Sequence, residues 1–151
     1  GFTATASAAI DTTRAVYLVL PDSAAVGDTV AASVRVNLSW GSARRGALQA
    51  TLNWSGVALR ALSLQGRDGQ EQGSALLPGI AAGAGPATVL VSRARNDLAV
   101  ENAFTLRFVV TSRTAPGDVP VSLSLASLVS TEFFDDLLPR VSVVGDVIRI
   151  R

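Results

Sequence analysis

Between Ala103 and Leu125 apolar and polar residues alternate with period two on both sides of a break. Phe104, Leu106, Phe108 and Val110 take turns with Thr105, Arg107 and Val109; after Pro116-Gly117-Asp118 the rhythm resumes with Val121, Leu123 and Leu125 against Ser122 and Ser124. Successive side chains of a strand point to opposite faces, so each run predicts one buried row and one outward row. Proline fixes φ, glycine permits any φ and aspartate bonds its own backbone. The tripeptide therefore predicts a turn, and the whole stretch a hairpin.

The same pattern recurs along the chain. Val16, Leu18 and Leu20 alternate with Ala15, Tyr17 and Val19 before Pro21-Asp22-Ser23; Val30, Ala32, Val34, Val36 and Leu38 face one way and Thr29, Ala31, Ser33, Arg35 and Asn37 the other. Leu48, Ala50, Leu52 and Trp54 form a further apolar row, and Val57 to Leu64 continues as a strand. Residues Gln65 to Gly85 are rich in glycine, alanine and small polar groups, which predicts a long loop with one short strand. Ala87 to Arg93 and Val141 to Ile150 close the set, the latter with Gly145-Asp146 inside it as a bulge or turn. Gly-Asp also stands at Gly27-Asp28 and Gly117-Asp118, each time just ahead of an apolar strand. Strands at this spacing without a helix predict an all-β, two-sheet sandwich of about eight or nine strands. Residues Gly1 to Thr13 carry only Phe2 and Ile10 as large apolar groups and are expected to form an extended tail ahead of one sandwich domain, 14–151.

Composition narrows the function. Thirteen arginines stand against twelve acids and there is no lysine, so the one-sided basic field that nucleic acid demands is missing. No histidine and no cysteine means no disulfide, no thiolate and none of the commonest general base. Without a base to activate a serine, no nucleophile is assigned. The chain is expected to be no enzyme, with no cofactor and no metal. No apolar run approaches the roughly 20 residues that span a bilayer. Ala6-Ser7-Ala8 fits the small-x-small pattern of signal-peptide cleavage, which predicts an exported, extracytoplasmic protein.

The order of these signals resembles the cohesin family and related bacterial extracellular sandwiches. The resemblance rests on Gly27-Asp28-Thr29-Val30 leading into Val34-Arg35-Val36, on Leu52-Asn53-Trp54-Ser55 followed by Val57 and Leu59, and on Phe104-Thr105-Leu106-Arg107-Phe108. Pro116-Gly117-Asp118 before Val121-Ser122-Leu123, and the closing Gly145-Asp146-Val147-Ile148, complete it. It covers roughly residues 15–151 and implies a nine-stranded jelly roll that recognises protein outside the cytoplasm without catalysis. In cohesins a flat sheet face receives a dockerin helix pair; the matching outward positions are Gln49, Thr51, Asn53, Ser122 and Ser124. This row is small and uncharged, lacking the aromatic and arginine anchors that usually dominate binding.

Other candidate contacts lie in loops. Arg44 and Arg45, on the stretch from Gly41 to Gly46, either grip carboxylates or phosphates or stay solvated. Phe133 and Phe134 are adjacent, so one is either exposed as an interface anchor or both wrap into the sandwich end. Glu132, Asp135 and Asp136 beside them lack the spacing of a calcium loop and fit a solvated turn. Trp54 shares the parity of the core row, leaving Trp40 as a poor sugar platform by itself. The resulting expectation is a protein-binding structural or assembly subunit, in concrete form an extrinsic subunit of a larger membrane-associated complex, held through the tail and Phe2, loops or one sheet face. The alternative is a carbohydrate-binding module.

Overall fold

The computed structural model describes residues 12–66, 74–77, 85–91, 98–112, 114–131 and 133–151. After a 3-10 turn at Thr12–Arg14 come β1 (Ala15–Val19), β2 (Ser23–Ala24), β3 (Thr29–Asn37), β4 (Arg45–Asn53), β5 (Leu59–Gln65) and β6 (Ser74–Leu77). Then follow β7 (Ala87–Val91), β8 (Val100–Val110), β9 (Gly117–Ser130), a second 3-10 turn at Leu138–Arg140, β10 (Ser142–Val144) and β11 (Asp146–Ile150). They form a five-stranded sheet in the order β10-β1-β3-β8-β5 and a six-stranded sheet in the order β2-β11-β9-β4-β7-β6. This is the expected sandwich. Its eleven strands among the described residues exceed the expectation because a two-residue β2 is added and the last strand is split in two.

The core sits between the sheets, where the two inward rows meet. Leu18, Val34, Phe104, Leu106 and Phe108 of one sheet and Leu48, Leu52, Leu128 and Ile148 of the other are buried. Trp54, at the end of β4, reaches across to Phe108 with ring centroids 4.8 Å apart and planes at 74°, the edge-to-face arrangement aromatic quadrupoles favour.

The hairpin expected over Ala103 to Leu125 is not formed. β8 belongs to the five-stranded sheet and β9 to the six-stranded one, so Pro116 ends an arch between layers and Gly117-Asp118 already opens β9. Both runs have a single apolar row, and two such rows are buried equally well side by side in one sheet or face to face across a core. Periodicity does not separate these cases; the apolar rows on neighbouring strands do. Among the described strands only β6 and β7 are consecutive partners within one sheet.

The Gly145-Asp146 break is likewise a change of sheet. β10 pairs in parallel with β1, and β11 in parallel with β2, so two segments run side by side and cross between layers together. The Asp146 carboxylate joins the crossings: Oδ2 accepts the Leu20 N–H at 2.8 Å and Oδ1 the Val147 N–H at 2.8 Å. Gly145 is required by space, since a Cβ there would stand 2.5 Å from the Val121 carbonyl oxygen.

Candidate functional site

Two groups of candidate residues emerge, one on a sheet face and one at a sandwich end. On the six-stranded sheet, β4 and β9 pair antiparallel with Thr51 opposite Ser124 and Asn53 opposite Ser122, while Gln49 stands opposite Ser127. Gln49, Thr51, Asn53, Ser122 and Ser124 therefore share one outward face. The next strand extends it, for Thr88 of β7 faces Thr51 with hydroxyl oxygens 3.3 Å apart, and Leu90 faces Gln49. On the other side, exposed Val147 of β11 stands opposite Pro120 of β9. The result is a flat centre of hydroxyls and amides flanked by Leu90 and by Val147 with Pro120. These flanking apolar groups were missed in sequence, although the alternation of Leu90 with Val89 and Val91, and of Val147 with Ile148, marks them as outward. Among the described residues of the strands on this face, charge enters at a corner, where Arg149 stands opposite Asp118.

At one end, residues 133–135 fold back on β9. The Ser130 N–H donates to the Asp135 carbonyl and the Asp135 N–H to Ser130 Oγ, each at 3.0 Å. This presents Phe133, 76% exposed, and Phe134, 60% exposed, to solvent. Phe134 has φ of 55°, a left-handed conformation that a bulky L-residue adopts at a cost. Trp40, 36% exposed, lies in the loop before β4, with the Arg14 guanidinium 6.0 Å from its ring centroid. The Thr131 N–H donates to the Arg44 carbonyl at 3.0 Å, tying the two loops together. The Arg44 guanidinium itself donates to the Gly41 and Ala43 carbonyls at 2.8 and 2.9 Å and so closes its own loop.

Arg45 departs most from expectation. It is not on a solvated loop but opens β4, is only 2% exposed, and is ion-paired with buried Glu101 of β8 in the opposite sheet. Its Nη2 donates to Glu101 Oε2 at 3.3 Å. A buried arginine cannot be a surface anchor, so it leaves the binding set. Three bulges lie near this end, and those in β8 and β4 turn Glu101 and Arg45 into the interior. The register of β3 with β8 skips Ala103, that of β4 with β9 skips Ala126, and β4 has an extra residue between Arg45 and Leu48. An extra residue reverses which face each later side chain occupies. By unbroken alternation Arg45 would share the face of Gln49, and Glu101 that of Thr105. Gly46 permits the local approach, since a Cβ there would come within 2.8 Å of the Ser130 carbonyl oxygen.

Phe2 and Glu132 lie outside the described residues. Among the described residues no three of His, Cys, Asp and Glu are grouped as metal ligands, and Asp136 Oδ1 instead accepts the Leu138 N–H at 3.0 Å. No helix among them is long and apolar enough to cross a membrane.

The fold is a cohesin-like jelly roll. An OlpA cohesin of Clostridium thermocellum, solved as a type I cohesin–dockerin complex, superposes with a TM-score of 0.72 at 12% identity over 91% of this chain and 99% of its own. The third ScaC cohesin of Acetivibrio cellulolyticus, solved with the ScaB dockerin, gives 0.70 at 13% identity over 89% and 98%. A cohesin module from a Clostridium perfringens family 33 glycoside hydrolase gives 0.68 at 10% identity over 93% and 98%. No protein-family model matches the sequence, nor does any curated protein.

Proposed function

We propose that the chain is a non-catalytic protein-docking module, working outside the cytoplasm, that receives its partner on the outer face of the six-stranded sheet. The observation that carries this reading is the adjacency of Gln49, Thr51, Asn53, Ser122 and Ser124 on neighbouring strands, forming a flat surface without charge at its centre. Similar structures that were solved with dockerins support it. Small side chains let a partner's backbone or helix approach closely, and the flanking Leu90, Val147 and Pro120 supply the apolar area that the centre lacks. Phe133 and Phe134 form a second, aromatic contact at the sandwich end. In its assembly the module is an exported structural subunit, with the extrinsic face of a membrane-associated complex as one concrete setting. A sugar platform has less support, because Trp54 is packed against Phe108 and only 6% exposed.

The test is co-purification from the native source. The wild-type chain should elute with a second protein, and Thr51→Arg with Ser124→Arg should release it while the variant still unfolds cooperatively, with a melting temperature lowered only slightly by the two facing charges. A chain that elutes alone as a monomer, or a partner retained by the double variant, would overturn the proposal.

A further inference from the structure

The outer face of the five-stranded sheet differs from its counterpart in charge. Arg35 of β3, Arg107 of β8 and Arg60 of β5 all point outward from adjacent strands. Arg35 stands opposite Asn102, Arg107 opposite Ala31 and Ser63, and Arg60 opposite Val109, so the three form a diagonal line across the sheet. Their neighbours on this face are small or neutral: Ala31, Ser33 and Thr105, with Tyr17 of β1 opposite Arg35. Among the described residues the strands of this face contribute no outward carboxylate, and none of the three arginines has an ion pair or hydrogen bond through its guanidinium.

We infer that this face is a second docking surface, independent of the six-stranded face, and that its occupant is an acidic segment of a partner protein. Arginine forks match carboxylates in planar, two-point geometry. Positions two apart on neighbouring strands lie about 7–8 Å from each other, so Arg60 and Arg107 suit two carboxylates of an extended segment at alternate residues. Arg35 lies four residue pairs further along β3, about 14 Å from Arg107 at ~3.3 Å per residue and ~4.8 Å between strands. Three charges in a line favour one short acidic stretch. A nucleic acid duplex asks for a broader field than a chain of net charge +1 supplies.

The probe is a fluorescein-labelled deca-glutamate peptide, followed by anisotropy against the whole chain at low ionic strength and again at 0.3 M NaCl. Wild type is expected to bind, and to weaken as salt rises. Changing Arg35, Arg60 and Arg107 together to Gln should weaken binding at least tenfold. Changing Arg140, Arg149 and Arg151 to Gln, an equal loss of charge at exposed sites elsewhere, should weaken it less than twofold. Should the triple change disturb folding, Arg60→Gln with Arg107→Gln, both exposed, is expected to cost at least threefold. No binding by wild type, equal losses in the two triple variants, or tighter binding to duplex DNA or anionic vesicles than to the peptide would each overturn the assignment.

Discussion

In the middle of the sandwich every second residue of β3, β4 and β8 is buried, and the outer faces are correspondingly flat; at the end where β4 begins and β9 finishes, extra residues in β4, β8 and β9 break that rhythm. The two regions use different chemistry to hold the layers together. In the middle, Phe104, Leu106 and Phe108 lie against Leu48, Leu52 and Trp54, and burial of apolar area does the work. At the end, Arg45 and Glu101 meet across the core, and their attraction must offset the loss of hydration of both charges. The regular region leaves an outer face of small, uncharged side chains on β4 and β9, and the irregular region fixes the loops that carry Trp40, Phe133 and Phe134.

The largest effect that separates the regions is expected from Glu101→Ala, which leaves the buried Arg45 guanidinium without the Glu101 carboxylate and should lower stability by about 3–5 kcal/mol in urea unfolding. Replacing both partners, Glu101→Leu with Arg45→Met, should recover most of the loss, because an apolar pair of similar size needs no hydration. A loss under about 1 kcal/mol for the single change would mean that this end is held as the middle is. Asp146→Ala, which removes the link between the two sheet crossings and leaves the part-buried Leu20 N–H without this acceptor, should cost about 1 kcal/mol by the same assay. The smallest effect is predicted for Phe134→Gly. Relief of about 1–2 kcal/mol of left-handed strain, less about 0.5–1 kcal/mol for the freer unfolded chain, should raise stability slightly. A clear loss of stability would show that the ring packs into the fold more than its exposure implies.

The same contrast explains what the sequence reveals. Alternation identified the strands, the inward rows and the outward set at Gln49, Thr51, Asn53, Ser122 and Ser124, because each strand alternates without interruption over those residues and one face must be dry. It misplaced Arg45, since one added residue in a strand leaves no mark in local composition yet turns the side chain to the other face. It also paired β8 with β9, because the turn residues at Pro116-Gly117-Asp118 specify a reversal of direction and not the layer to which the chain returns. Gly145-Asp146 was visible as a break, but its role became apparent only from the Leu20 N–H and the Val121 carbonyl, both distant in sequence. Exposure of both phenylalanines goes with the left-handed backbone of Phe134 and the hydrogen bonds of Asp135 to Ser130, which alternation does not address.

Photo-crosslinking in the native host tests the docking claim most directly. A benzophenone side chain at Ser124, on the six-stranded face, is predicted to trap a second protein, whereas the same group at Ser63 of β5, on the opposite sheet, should leave that protein untrapped. Trapping of the same protein from Ser63 and not from Ser124 would contradict the assignment of the docking face.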